Sequence, residues 1–399
     1  MAVAQPLTIG VDATTWWNRR GFGRFTRGQL GAMLDDARGH QFVLFVDQEP
    51  VEDMLRPNVD VVRVNTSATV TDSAVADGNR SIRDLLAFRR AASGRPLDIF
   101  WFPAVYSWYP VSRRIPSVVT FHDAIAEHHT KLVLPTLRGR LFWNIKVWLA
   151  KLSARHITTV SKAAREEIVR YLHIRREEIS VILEAADARF HPITDENLLH
   201  AARKSLGLPL NRRLILYVGG LAPHKNLAGL IEGFARAIGD GQLDDLDLVL
   251  AGDPKGDGFH SNVEELHALI AQRGITDRVH FPGFVPDGIL PALYSGALAV
   301  AMPAFSEGFG LPAAEAIACG TPVIATGGGA VAEVVGRAGL FFNPRDPDDI
   351  GSAIAKIAGD PALLARLEAE CQPRAAELDW SHSASAMIDL LETQARRRA

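Results

Sequence analysis

Short apolar runs alternate with amphipathic stretches through most of this sequence, a pattern that few architectures other than a parallel α/β sheet can absorb. The strand candidates of the first half are residues 7–13, 41–47, 59–64, 98–103, 117–123 and 156–161. They are apolar at nearly every position rather than at alternate ones, as parallel strands covered on both faces require. A second series follows the polar stretch Pro192–Asn197, at 213–220, 246–253, 279–284, 297–303 and 321–326. With 399 residues and a soft prior of roughly 150 per domain, two large doubly wound domains fit best, with the boundary near residue 190. Such sheets bind ligands at the carboxyl ends of their strands, so a cleft between two domains is the expected place for a site.

Composition narrows the class. The start MAVAQPLTIGVDATTWW has no basic segment leading into an apolar core, so a secretory signal is not expected, and no apolar run reaches the length of a membrane span. Two cysteines, Cys319 and Cys371, are too few for a disulfide framework and agree with a reducing compartment, the cytoplasm. The net charge of -3 hides an asymmetry, because residues 1–190 carry 26 Lys and Arg against 20 Asp and Glu, while residues 191–374 carry 14 against 22. The excess of the first half lies wholly in 101–190, which suits either a surface for an anionic partner or membrane, or ordinary solvated charge. A nucleic acid is not an expected partner.

The richest segment is FSEGFGLPAAEAIACGTPVIATGGG, residues 305–329. A strand ends, a glycine-rich turn follows, and Pro312 stands where a first helical residue belongs. Gly308 and Gly310 allow close backbone approach, and the amides of Phe309, Gly310 and Leu311 at a helix start attract phosphate or sugar oxygens. Glu307 and Glu315, eight residues apart, can accept hydrogen bonds from sugar hydroxyls. Taken alone, both could equally be solvated first-turn carboxylates favoured by the helix dipole. A second element, LYVGGLAPHKNLAGLIEGFARA (216–237), runs from strand through Gly219 and Gly220 into a helix, with Lys225 near the helix start. A lysine there can neutralise a leaving diphosphate, although most lysines are surface charges.

The run E-G-F-G-L-P-x-x-E-A with the downstream G-x-P-V-I-A-T resembles the E-x7-E motif of retaining glycosyltransferases of family 4. The resemblance implies the GT-B fold, two Rossmann-like doubly wound domains facing across a cleft. Residues 1–190, completed by a C-terminal helix within 378–399, would form the acceptor side, and 191–377 the nucleotide-sugar donor side. It further implies that Glu307 contacts the transferred sugar, Glu315 holds the ribose and Lys225 binds the pyrophosphate. Where many members carry a clamp arginine this chain has Gly220, with His224 nearby, so His224, another arginine or the amides of Gly219 and Gly220 must supply that charge stabilisation.

WWNRRGFGRFTRGQL (16–30) has a G-F-G-R-F segment in front of a helix, similar to the family's first-domain glycine loop. Gly21 and Gly23 would then approach the donor phosphates, against the plainer reading of a turn. His122 ends a strand in FHDAIAEHH (121–129), and in the family a histidine at this strand end bonds the donor sugar, whereas a lone histidine is more often structural. His128 and His129 lack a third ligand at recognisable spacing, and neither Asp245-Leu-Asp247 nor Asp346-Pro-Asp348 stands in a metal-diphosphate setting, so no metal and no cofactor is expected. GFVPDGILPALY (283–294) resembles the loop whose backbone reads the donor base, which makes Phe284 and Val285 base-contact candidates.

The catalytic set implied is His122, Lys225 and Glu307, in a metal-independent retaining transfer of a hexose-type sugar from a nucleoside diphosphate to a carbohydrate, lipid-linked or small-molecule acceptor. The departing phosphate would take the acceptor's proton, and His122 would position the sugar. A hydride-transferring enzyme would show GxGxxG after the first strand with an acidic residue about twenty positions on, a pairing this chain lacks. A non-catalytic sugar-nucleotide or lipid-binding protein of the same fold stands as the alternative. Six of seven tryptophans (16, 17, 101, 108, 143, 148) lie in the first 150 residues and suit sugar-stacking or lipid-facing platforms. The basic, apolar stretch LRGRLFWNIKVWLAKLSARH (137–156) fits a membrane-surface helix or, more commonly, a helix packed on the core. The Trp380 helix looks like the family's terminal helix, which returns to the first domain.

Overall fold

The computed structural model describes residues 5–18, 21–67, 69, 81–128, 130, 136–239, 241–253 and 263–397. Two compact units emerge, Met1–Glu184 with Asp379–Ala399, and Ala185–Leu378. The division falls at 184/185 rather than near 190. Glu184 bonds His122 in the first unit, whereas the Phe190 ring lies 5.9 Å from Tyr294 in the second.

The first unit is built on seven strands, β1 (Thr8–Asp12), β2 (Gln41–Val46), β3 (Val59–Arg63), β4 (Ile99–Phe102), β5 (Ser117–Thr120), β6 (Ala154–Thr159) and β7 (Ile179–Val181). Every pair is parallel, in the order β3-β2-β1-β4-β5-β6-β7, with Val11 opposite both Leu44 and Trp101. The order reverses between β1 and β4, so the loops leaving those strands diverge to opposite faces and open a crevice at their carboxyl ends. β4 and β5 are buried at every position, which is why Ile-Phe-Trp-Phe and Ser-Val-Val-Thr read as continuous rather than alternating. Phe88, Phe100, Phe102 and Tyr109 fill the core beneath, each contributing about 1.5–3 kcal/mol through burial.

The second unit has six parallel strands, β8 (Arg213–Val218), β9 (Leu246–Ala251), β10 (Val279–Gly283), β11 (Ala299–Met302), β12 (Val323–Thr326) and β13 (Gly339–Phe342), in the order β10-β9-β8-β11-β12-β13. Here the reversal lies between β8 and β11. Leu230, Ile231 and Phe234 from helix Leu227–Ile238 pack with Ile350 and Ile354 of helix Pro347–Gly359 in its core. Helix starts follow the expected chemistry, since Ser81, Thr136, Ser161, Asp346 and Asp379 each accept an amide hydrogen bond as N-caps. Asp346 is thus a cap, and Asp247 lies fully buried in β9 between Arg212, Arg278 and His280.

The terminal helix Trp380–Arg396 joins the first unit. The Trp380 ring lies 6.0 Å from Phe25, Ser383 Oγ donates to Leu183 O at 2.6 Å, and a Cβ on Gly28 would stand 2.3 Å from Trp380. Arg38 reaches Asp389 and Ser385 on the same helix.

Two expectations need correction. Trp16, Trp101 and Trp108 are buried, and Trp143 donates its indole N–H to Glu127 at 2.7 Å, so these rings are packing elements rather than platforms; Trp148 alone of that group is strongly exposed, at 57%. Core packing fails to account for helix Leu137–Ser153, whose inward side holds only Val147 and Ala150 as fully buried residues while its long apolar side chains point to solvent. His128 stacks on Tyr171 at 4.6 Å; His129 lies outside the described residues.

Candidate functional site

In the second unit, Gly219, Gly220, Lys225 and Glu307 follow the two strands, β8 and β11, between which the sheet order reverses, whereas Phe284 and Val285 follow the edge strand β10. β8 ends at Val218 and the chain passes Gly219 and Gly220, whose carbonyl accepts the Tyr217 hydroxyl at 2.6 Å. A short 3-10 turn, Pro223–Lys225, then carries Lys225 to the head of helix Leu227–Ile238. From the neighbouring β11, the chain runs through Pro303 and Ala304 to Glu307. Phe305 N donates to His224 O at 3.1 Å, so the two loops are stitched together through main chain. Lys225 Nζ and Glu307 Oε1 meet at 2.6 Å, with side-chain exposures of 20% and 14%. Two residues 82 apart in sequence thus form one charged pair. Partial desolvation makes that contact stronger than a surface ion pair.

Beyond Glu307, the turn Gly308–Phe309–Gly310 leads into helix Leu311–Ala318. Gly310 has φ +99°, and its α-hydrogen side faces Val331, so a side chain here would be both strained and crowded. The helical ladder begins with Ala313 N donating to Gly310 O at 2.9 Å. The amides of Phe309, Gly310 and Leu311 therefore stand outside it, as an anion cradle requires. Leu311 opens the helix and Pro312 follows it, one position later than expected.

Glu315, expected to hold the ribose, does not follow the alternative of a solvated carboxylate. It is 1% exposed, one turn down the helix, and accepts the Tyr294 hydroxyl at 2.9 Å. Glu307 is also largely covered, so neither carboxylate is the freely solvated first-turn group that the dipole alone would favour. Phe284, at the end of β10, is 54% exposed, whereas Val285 is buried.

Sequence reading missed Asn226. It adopts φ +57° as N-cap of helix Leu227–Ile238, and its buried side-chain amide donates to Pro303 O at 3.1 Å and Pro344 O at 2.8 Å. One residue after Lys225, it fixes the loop from which Lys225 projects. The signal was the H-K-N-L junction, where an asparagine precedes a strongly amphipathic helix. Cys319 is a buried thiol pushed up to about 12 by desolvation, which makes it inert as a nucleophile.

In the first unit, His122 follows β5 and is 7% exposed. Its Nε2–H donates to Pro103 O at 2.9 Å, and Nδ1 lies 3.2 Å from Glu184 Oε1. The rings of Phe22 and Phe25 meet it edge-on at 5.0 and 4.6 Å. Both imidazole nitrogens thus have protein partners, and a sugar hydroxyl could bond Nε2 only by displacing Pro103 O. Burial pushes the Glu184 carboxyl above its ordinary range, while the bond to His122 pulls it back. Sequence reading missed Glu184 because 62 residues separate it from His122.

Gly21 and Gly23 are not in a loop ahead of the helix; they form the first turn of helix Gly21–Asp36. A Cβ at Gly23 would fall 1.8 Å from Asn18 O, so its need for glycine arises from the chain's own backbone. Gly21 remains exposed.

The comparisons with known proteins bear on the family and the fold. The family model described as glycosyl transferases group 1 matches residues 200–374, and that described as Glycosyltransferase Family 4 matches 29–189. A D-inositol 3-phosphate glycosyltransferase of Rhodococcus opacus is 34% identical over 227 residues, 56% of this chain and 50% of that protein. The chain thus spans about half the length of that curated relative. D-inositol 3-phosphate glycosyltransferase 2 of Catenulispora acidiphila is 31% identical over 300 residues, 73% of this chain and 68% of that protein. Among solved structures, Anabaena HepE in complex with UDP and glucose superposes with a TM-score of 0.72 at 19% identity, covering 97% of this chain and 100% of that one, a likeness of fold. With both halves matched by family models, and with two parallel-sheet units carrying the E-x7-E segment at a strand-order reversal, this chain belongs to glycosyltransferase family 4 and has the GT-B fold.

Proposed function

We propose that this chain is a retaining, metal-independent hexosyltransferase that uses a nucleoside diphosphate sugar, with a uridine base as the first candidate. The Lys225–Glu307 pair beside the Gly310 helix start carries the reading. A diphosphate arriving there competes with Glu307 for the Lys225 ammonium, and the cradle amides take its remaining oxygens. Glu307, released from the lysine, can then accept hydrogen bonds from the sugar.

As the anomeric bond breaks, negative charge grows on the leaving phosphate and is met by Lys225 and the helix start. This needs neither a carboxylate acid-base pair nor a divalent cation, and the departing phosphate oxygen can take the acceptor's proton. His122 has both ring nitrogens engaged, by Pro103 O and by Glu184, so it is not read as a nucleophile. The Anabaena protein is described with UDP and glucose, which supports the choice of base, and the relatives named for D-inositol 3-phosphate suggest a phosphorylated polyol among the acceptors to try. The buried free thiols Cys319 and Cys371 favour a reducing compartment, the cytoplasm.

Calorimetric titration with UDP, GDP, ADP and NAD in the presence of a chelator tests the donor side. Binding of one nucleoside diphosphate without metal is expected. Binding of NAD alone, or a strict metal requirement, would overturn the reading. Proton coupling at the anomeric carbon of the product tests retention. Diphosphate binding with no transfer to any acceptor would point to a non-catalytic binding protein.

A further inference from the structure

Helix Leu137–Ser153 shows an inverted amphipathicity. Leu137, Leu141, Ile145, Trp148 and Leu152 are exposed, at 80%, 60%, 45%, 57% and 66%. Their spacing of four, four, three and four residues places them in one stripe along the helix, flanked by exposed Phe142 and Leu149. The opposite side faces the unit through Val147 and Ala150, and Lys146 Nζ donates to Tyr106 O beneath it. Scattered exposed leucines are ordinary, whereas seven large apolar side chains on one helix form a contiguous patch of the kind that marks an interaction surface.

Charge decides what covers it. Between Glu127 and Glu166 the sequence has eight Lys and Arg and no Asp or Glu. Arg138 stands at the N-terminal end of the stripe with its guanidinium 5.5 Å over the Phe142 ring. At the C-terminal end, a small cleft is lined by Lys151, Arg155, His156 and His173 along with Glu178. Lys151 and Arg155 donate to the main-chain carbonyls of Leu172 and Gln394, and Lys151 also lies within electrostatic reach of Glu127. A protein partner with an apolar face would be served by the stripe alone. An apolar stripe with cations at both of its ends instead matches a surface whose interior is hydrocarbon and whose headgroups are anionic.

We infer that helix Leu137–Ser153 is a membrane-docking element, inserting its Leu141–Ile145–Trp148–Leu152 stripe at the acyl boundary of an anionic bilayer, with Arg138 and the Lys151–Arg155 cleft on the headgroup phosphates. The helix lies flat on the surface and does not cross it, since no helix among the described residues is long and apolar enough to span. The inference is independent of the donor chemistry, because none of these residues belongs to the donor set.

The test is co-sedimentation of the full chain with vesicles of phosphatidylglycerol and phosphatidylcholine, against phosphatidylcholine alone. Binding to the mixed vesicles, weakened by salt, is expected, with a blue shift of tryptophan emission that Trp148→Phe removes. The fourfold variant Leu141→Gln, Ile145→Gln, Trp148→Gln, Leu152→Gln should bind at least about a hundredfold more weakly. Because those side chains are already exposed, the variant should keep its thermal midpoint and its nucleotide binding. Arg138→Gln with Arg155→Gln should lower binding to the mixed vesicles only. Lack of vesicle binding by the unmodified chain would overturn the inference. So would a concentration-dependent dimer that the fourfold variant abolishes, which would make a second copy the occupant, or binding that free inorganic phosphate displaces fully while the fourfold variant binds normally.

Discussion

Lys225 and Glu307 show how one contact can set a reaction's demands on a site. Under the proposed reaction the lysine would hold charge for a leaving diphosphate, and the ion pair with Glu307 fixes where its ammonium stands before the donor arrives. Lys225→Ala should lower kcat by about a hundredfold to a thousandfold, the usual loss when one preorganised stabilising group is removed, and steady-state kinetics with saturating donor would show it. Glu307→Gln keeps the shape and removes the ion pair, so nucleotide binding should persist or tighten while transfer falls; unchanged turnover would remove Glu307 from the site. Glu184 makes a different prediction. Its folded carboxyl is raised by burial above the value of an unfolded chain, so the folded form holds the proton longer, and the stabilisation present at acid pH is lost as pH rises through the folded value. Glu184→Gln should flatten that part of the profile of thermal midpoint against pH; an unaltered profile would show that Glu184 does not titrate in the folded chain. Glu307, Glu315 and Lys225 were legible in the sequence because short motifs carry them. Their burial was not, since whether Glu315 faces solvent or Tyr294 depends on the neighbouring helix Leu290–Ser295, which no local pattern reports.

Elements succeeded or failed as expectations for physical reasons that can be named. Eleven strands were readable because parallel, doubly covered strands leave long apolar runs. β7 and β13 escaped notice: both are short edge strands, partly exposed, and their sequences ISV and GLFF do not stand out from their surroundings. The glycines at 21 and 23 suggested a loop because glycine weakens helices, yet the close passage of Asn18 O makes a side chain at position 23 impossible. Asn226 joins two elements that the sequence treats as unrelated. Asn226→Ala removes the bonds to the Pro303 and Pro344 carbonyls and leaves an alanine in the left-handed region. A loss of about 3 kcal/mol in denaturant unfolding is expected, with activity falling further than stability as Lys225 loses its footing. Gly28→Val should displace the terminal helix, since even a Cβ there meets Trp380 at 2.3 Å, and near-ultraviolet circular dichroism of the tryptophans would register it.

On the scale of the molecule, the sequence showed two parallel-sheet units, because each sheet is built from strands covered on both faces that leave long apolar runs. It could not show which way helix Leu137–Ser153 turns its apolar side, since periodicity records that a face exists and not what lies against it. The first unit is discontinuous: Met1–Glu184 is completed by Asp379–Ala399, while Ala185–Leu378 is a single run of chain. On the ribosome, the second unit therefore has all its residues in hand before the first does. Until helix Trp380–Arg396 emerges, Phe25, Gly28 and Arg38 wait with uncovered surface, so the first unit is completed after the second although most of it is made before. Stalled or truncated chains should accordingly expose the first unit to chaperones and proteases while the second is already folded, so a nascent chain ending at Leu378 should bind nucleotide before it can resist digestion.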